Sequence, residues 1–272
     1  MSVHPSGSQP LSIHDLAALK QRGERFTMLT AYDYLSAQIL DAAGIPVLLV
    51  GDSLGMVMLG YDSTVPVTMD EMLHHTRAVR RGASRALVVG DMPFMSYQGS
   101  VEDAVANAGR FLKEGGAHAV KLEGGGPVLD VVARLTSIGV PVMGHLGLTP
   151  QSVNQFGGFK VQGRDADDAE RILTDALALE AAGAFAVVLE CVPAELAARV
   201  TQALRIPTIG IGAGAATDGQ VLVIQDLLGL TGGRLPRFVK QYANLRQEIT
   251  DAAKSFQSEV ASGDYPGPEH SY

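Results

Sequence analysis

Three acidic residues occupy the same place in a recurring pattern: Asp52, Asp91 and Glu123 each stand one or two residues beyond a short apolar run, at 47–50, 86–89 and 119–122. Runs of that kind read as strands buried on both faces, and neighbouring strands lie about 4.8 Å apart. Any one of these carboxylates could simply cap a following helix. Three gathered at one sheet end repel each other unless a cation sits among them. An all-oxygen set selects a hard ion, and Mg²⁺ held by few protein ligands keeps water positions that a substrate can take.

Other reactive groups share the pattern. In Val120-Lys121-Leu122-Glu123, apolar and charged residues alternate, so Lys121 and Glu123 share one face of a strand, and an inward ammonium there could pair with an anionic substrate. Glu190 closes the apolar run 185–189; an apolar setting raises a carboxyl pKa and suits a general base near neutral pH. His145 is the only histidine at an expected strand end, where a satisfied core histidine and a substrate contact both fit. Asp33 and the glycines Gly210, Gly212 and Gly214 also follow apolar runs. Those glycines lack dinucleotide-loop spacing and suit either a phosphate site or tight backbone packing. Gly51-Asp52-Ser53-Leu54-Gly55 matches the nucleophile-elbow pattern, which makes a serine hydrolase using Ser53 an alternative. That reading needs a late histidine, and His270 is the only one beyond His145.

Eight apolar runs position these groups: 26–30, 47–50, 86–89, 119–122, 140–143, 185–189, 208–211 and a weaker one at 221–224. Good helix formers separate them, notably over 69–83, 101–115 and 165–182, with a helix over 12–21 before the first run and another over 236–260 after the last. Seven or eight strand–helix units in about 250 residues predict an α/β fold, a (β/α)₈ TIM barrel with an N-terminal helix; an open doubly wound sheet is the alternative. Functional residues of such barrels sit at the C-terminal ends of the strands, where the groups above fall. The expected organisation is a flexible N-terminus over 1–10, one catalytic barrel over 11–260 and a C-terminal tail over 261–272.

Composition narrows the class. With 272 residues, 46% hydrophobic and 18% charged, the chain can build a large core, which excludes intrinsic disorder. Lys and Arg number 21 against 29 Asp and Glu, and the net charge of −8 repels a phosphate backbone, so no nucleic-acid partner is expected. The single Cys191 forms no internal disulfide. No apolar run approaches the roughly 18 residues of a membrane span, so the expectation is a cytoplasmic protein without a membrane partner.

The strings VGDSLGM, DMPFMSY, VKLEGG, GHLGLTPQSVNQFGGFKVQGR, LECVP, IGIGAG and YPGPEHS closely resemble the 3-methyl-2-oxobutanoate (ketopantoate) hydroxymethyltransferase family, and the likeness runs from Arg25 to Ser271. The family belongs to the phosphoenolpyruvate mutase and isocitrate lyase group of barrels. The resemblance implies transfer of a hydroxymethyl group from 5,10-methylenetetrahydrofolate to 3-methyl-2-oxobutanoate, giving 2-dehydropantoate on the route to pantothenate. It also implies one Mg²⁺ per subunit at Asp52, Asp91 and Glu123, 2-oxo acid contacts from Asp52, Ser53, Asp91 and Lys121, and Glu190 as proton acceptor. His145 is a further substrate-binding candidate. A homodecamer built as a pentamer of dimers is likewise implied. The nearest rival is another Mg²⁺-dependent 2-oxo acid lyase or mutase of the same group. Nothing in the residues marks a folate site; the Gly- and Gln-rich segment 148–163 is the candidate for part of it or for a lid.

Overall fold

The computed structural model describes residues 10–233 and 235–272; the N-terminal stretch expected to be flexible lies, apart from Pro10, outside them. One compact unit ends at Val223 and a second runs Ile224–Tyr272. The first is a closed barrel of eight parallel strands in sequence order: β1 Phe26–Thr30, β2 Val47–Val50, β3 Leu87–Asp91, β4 Ala119–Glu123, β5 Val142–Gly147, β6 Ala186–Glu190, β7 Thr208–Ile211 and β8 Gly219–Leu222, with β8 pairing β1. The expected (β/α)₈ class is the one observed.

Helix α1 (Ile13–Gln21) precedes the barrel, started by a capping box in which Ser12 and Asp15 satisfy each other's backbone donors. Between the strands run α2 (Tyr34–Ala42), α3 (Leu54–Val57), α4 (Met69–Gly82), α5 (Val101–Arg110), α6 (Leu129–Ser137), α7 (Val153–Phe156), α8 (Ala166–Ala181) and α9 (Ala194–Ala203). Thr68, Ser100 and Asp165 accept from backbone N–H groups at the starts of α4, α5 and α8, fixing those starts near the expected positions. The β7–β8 connection, residues 212–218, contains no helix.

Strand alternation decides what fills the barrel. Val47 and Leu49 of β2, Leu87 and Val89 of β3, Ala119 of β4, Met143 of β5, Ala186 and Val188 of β6 and Ile209 of β7 form one buried cluster. Leu16 of α1 belongs to the same cluster, so α1 adds its apolar face to the barrel interior. Residues of the opposite parity, such as Leu48, Val88, Val120 and Leu122, are also buried. Both faces are covered, which is why the strands appear as continuous apolar runs.

β3 to β6 extend beyond their apolar runs, to Asp91, Glu123, Gly147 and Glu190, because the ladder bonds continue regardless of side-chain polarity. β8 starts at Gly219, two residues before the expected run.

In the second unit, α10 (Ile224–Leu227) is followed by α11 (Leu245–Ser262), which starts well inside the expected 236–260. The N–H groups of Tyr242 and Leu245 donate to Leu227 and Leu228 O, at 2.8 and 3.0 Å, and Val239 closes a turn on Pro236 O. Those bonds divert the backbone from helical pairing before Asn244. Among the described residues no helix is long and apolar enough to cross a membrane.

Candidate active site

The alternation that fills the barrel with apolar side chains ends in charge. Two positions beyond Val89, Ala119, Met143 and Val188 on the same strands stand Asp91, Lys121, His145 and Glu190, with Glu123 one further step along β4. Register sets Asp91 beside Lys121, Glu123 beside His145, and Glu190 beside Gly147. The C-terminal mouth is therefore polar because of strand phase.

These side chains contact one another. Lys121 Nζ donates to both oxygens of Asp91, at 2.6 and 2.7 Å, and lies 3.8 Å from Glu123 Oε1. The His145 ring stands between two carboxylates, with Nδ1 3.3 Å from Glu123 Oε1 and Nε2 3.3 Å from Glu190 Oε2. These are ion-pair distances without hydrogen-bond angles. Asp52 joins from the turn after β2: its N–H donates to Asp91 Oδ2 at 3.3 Å and its Oδ2 accepts from Gln151 Nε2 at 2.9 Å. The six predicted charged or ring groups thus share one mouth. Ser53 lies beside them, its Oγ 2.9 Å from Tyr32 Oη. No hydrogen bond joins Ser53 Oγ to a histidine among the described residues, and the hydrolase reading lacks its base.

Burial sets the electrostatics. Asp52, Asp91, Lys121, Glu123 and His145 are all at most 5% exposed, whereas the Glu190 side chain is 17% exposed. The expected apolar setting of Glu190 is corrected accordingly: its carboxylate faces the His145 ring. Desolvation, with Asp91 and Glu123 nearby, holds Asp52 well above the usual carboxylate range. Desolvation also raises Asp91, against the pull of Lys121. Glu123 is lowered because His145 and Lys121 outweigh its burial. Burial opposes charge on Lys121, but Asp91, Glu123 and Asp52 together raise it. Burial and Lys121 oppose a charged His145; Glu123 and Glu190 overcome them and raise it to about 9. The mouth holds four carboxylates against one ammonium and one imidazole. Among the described residues, no three His, Cys, Asp or Glu side chains converge on a single metal-sized point.

Two residues of this site lie inside the strings that carry the family resemblance, DMPFMSY and GHLGLTPQSVNQFGGFKVQGR, which by themselves single out neither. Gln151, in the turn Pro150–Ser152 after β5, bonds Asp52, Met92 O and Glu123, and Tyr97 bonds both Gln151 and the Glu123 backbone. Each lies in a loop whose return across the mouth is a tertiary fact. Other candidates resolve as structure: Asp33 caps α2 through Ser36 N–H, and a Cβ on Gly210 would lie 2.7 Å from Thr217 Oγ1, so tight packing accounts for that glycine. Segment 148–163 contains α7 and the left-handed Gly157 and Gly158, with Phe159 exposed.

Gly147 holds Glu190 in place. Its φ is +90°, and a Cβ there would meet the Glu190 carbonyl oxygen at 2.2 Å, the oxygen that accepts from Leu148 N–H. Gly147→Ala is expected to destabilise the protein by at least about 1–3 kcal/mol, the scale of left-handed strain alone, and to lower turnover. Urea denaturation checks this; a loss below about 0.5 kcal/mol, within the range of an ordinary surface substitution, contradicts it.

A closed parallel barrel with an acid–base cluster at its C-terminal mouth defines a (β/α)₈-barrel enzyme. Solved structures agree on the fold: phosphonopyruvate hydrolase in complex with oxalate and Mg²⁺ superposes with a TM-score of 0.61 at 13% identity, covering 95% of this chain and 92% of that one. For 2,3-dimethylmalate lyase, a member of the PEP mutase/isocitrate lyase superfamily, the values are 0.58, 15%, 96% and 93%. The sequence profile of ketopantoate hydroxymethyltransferase matches residues 10–268. The 3-methyl-2-oxobutanoate hydroxymethyltransferase of Syntrophus aciditrophicus (strain SB) is 63% identical over 272 residues, all of both chains. That of Carboxydothermus hydrogenoformans is 59% identical over 262 residues, 96% of this chain and 95% of the other. The chain belongs to the ketopantoate hydroxymethyltransferase family.

Proposed function

We propose that this enzyme transfers a hydroxymethyl group from 5,10-methylenetetrahydrofolate to 3-methyl-2-oxobutanoate, giving 2-dehydropantoate and tetrahydrofolate. The observation that carries the reading is the common mouth of Glu190, His145 and the Lys121–Asp91 pair. Such a site can bind an oxo acid anion and remove a proton beside its ketone.

The donor set fits a hard divalent cation. Glu123 Oε1 is buried without a hydrogen-bond partner among the described residues, and the carboxylates exceed the cationic groups. All candidate ligands are oxygens. Mg²⁺ commonly takes one or two carboxylates directly and completes its shell with water and substrate oxygens. Asp52, Asp91 and Glu123 would hold it, some of them through water. When bound, the ion supplies positive charge next to the carboxylate and ketone oxygens of the oxo acid.

The chain's own groups do the rest. Glu190 accepts the proton from C3 of the oxo acid, the carbon next to the ketone. His145, in contact with Glu190 Oε2, orients that carboxylate and is placed to contact the substrate as well. Lys121 brings a fixed positive charge towards the substrate carboxylate, and Ser53 and the Asp52 turn orient it. Water opens the methylene bridge of the folate, both C–N bonds breaking as the two nitrogens of the departing tetrahydrofolate take up protons. The enolate carbon attacks the released formaldehyde-level carbon, whose water-derived oxygen becomes the hydroxyl on taking up the proton held by Glu190. Segment 148–163, with exposed Phe159, is the candidate folate contact or lid. We also infer a homodecamer in the cytoplasm, a reading supported by family resemblance and by Ile249, Phe256 and Val260 exposed on α11.

Asp91→Asn tests the cation reading. It is expected to raise the Mg²⁺ concentration for half-maximal formation of 2-dehydropantoate by roughly tenfold or more, the scale of lost metal-site support. An unchanged Mg²⁺ titration contradicts the placement of Asp91 at the metal.

A further inference from the structure

Gln151 is 3% exposed and spends its whole hydrogen-bonding capacity on the mouth of the barrel. Its Nε2 donates to Asp52 Oδ2 and to Met92 O, both at 2.9 Å. Its Oε1 accepts from Tyr97 Oη at 2.7 Å and from Gln98 Nε2 at 3.1 Å, and its backbone N–H donates to Glu123 Oε2 at 3.0 Å. The amide orientation follows from this network: turned over, its oxygen would face a carboxylate and a carbonyl, and its NH₂ would face another NH₂. Gln151 follows β5, whereas Asp52 follows β2. Three strand spacings separate those strands, about 14 Å along the sheet. The loop therefore returns across the mouth to reach two carboxylates on different strands. An apolar side chain would fill the same space and lose the bond to Asp52, keeping only the backbone N–H bond to Glu123.

We infer that Gln151 is a positioning residue for the divalent cation: it ties one oxygen of Asp52 and one of Glu123, and so fixes which oxygens remain for the ion. A neutral amide suits this task, because an ammonium at the same point would compete with the cation for Asp52, as Lys121 does at Asp91. Tyr97 extends the device. Its hydroxyl donates to Gln151 Oε1 and accepts from Glu123 N–H at 3.0 Å, locking the turn to β4. The inference rests on the reading that Asp52, Asp91 and Glu123 hold the cation.

The test is Mn²⁺ binding to the full chain without substrate, read from the electron paramagnetic resonance signal of free Mn²⁺. It compares the unmodified protein with Gln151→Met, which keeps the volume and removes the side-chain hydrogen bonds. The dissociation constant is expected to rise about 10- to 100-fold, the usual effect of losing an outer partner of a metal ligand. Thermal unfolding of both proteins, with and without Mn²⁺, separates positioning from structure. Positioning predicts a smaller Mn²⁺-induced rise in Tm for the variant; a purely structural role lowers both melting curves and leaves that rise and the affinity intact, which overturns the inference. Should Gln151→Met not fold, Tyr97→Phe decides, with several-fold weaker binding expected and unchanged binding overturning the role. Absence of Mn²⁺ binding by the unmodified protein overturns the cation reading itself, and the inference with it. Equal binding by the two proteins overturns only the role of Gln151.

Discussion

Glu190→Gln is expected to lower turnover by about 10²-fold or more while leaving the affinity for 3-methyl-2-oxobutanoate nearly unchanged. The lower figure is the usual scale for loss of a general base. The substitution preserves size and leaves an amide oxygen facing His145, 3.3 Å from the position of Oε2, so binding geometry survives while the proton acceptor is gone. Steady-state kinetics with oxo acid and folate varied separately, alongside a direct binding measurement, check both halves. Near-normal turnover would remove Glu190 from its role. A loss seen only in the affinity for the oxo acid would make it a binding residue.

Lys121→Met is expected to destabilise the cation-free protein by about 3–5 kcal/mol, the scale for stripping one partner from a buried ion pair. The ammonium, 4% exposed, holds both Asp91 oxygens and lies beside Glu123. Without it, Asp52, Asp91 and Glu123 share a buried mouth with only His145 as counter-charge. The deficit depends on pH with a definite sign. Asp52 titrates higher in the folded protein than in the unfolded chain, so the folded state gains protons first as pH falls. Its contribution is therefore full at and below the unfolded value near 4 and is lost as pH rises. The variant's deficit should be largest near pH 7.5, smaller at pH 5, and partly offset by Mg²⁺ at neutral pH, because any ligand that binds only the folded form stabilises it. Urea denaturation under these three conditions checks it. A deficit below about 1 kcal/mol at pH 7.5, or one that grows on acidification, contradicts the electrostatic account.

Much of this site was legible because the barrel imposes two simple rules on the sequence. Strands covered on both faces must be apolar throughout, so six of the eight runs start within one residue of a strand, whereas the fifth, 140–143, begins two residues before β5 and the eighth begins two residues after the start of β8, which is diluted by Gly219 and Gln220. Inward positions alternate, so a charge that follows an apolar strand in phase with its interior residues has one place to go. Asp91, Lys121, Glu123, His145 and Glu190 all obey that rule. Asp33 does not, because its carboxylate is used three residues further on, by Ser36 at the start of α2. What stayed hidden depends on loops returning from elsewhere in the barrel. Gln151 and Tyr97 stand in loop segments with no periodicity, and only the folded turn brings them to Asp52 and Glu123. The start of α11 was hidden for a similar reason: backbone bonds from Tyr242 and Leu245 to Leu227 and Leu228 override a helix-compatible sequence.

The central claim is that Glu190, with a divalent cation, removes the proton next to the ketone of the oxo acid. Proton NMR of 3-methyl-2-oxobutanoate in heavy water, with the protein and Mg²⁺ and without folate, tests it directly. Loss of the C3 hydrogen signal is predicted, abolished by chelator and slowed in Glu190→Gln to the extent that turnover is. A folded sample that binds the oxo acid yet exchanges no hydrogen, even after tetrahydrofolate is added to the same tube, would contradict the account.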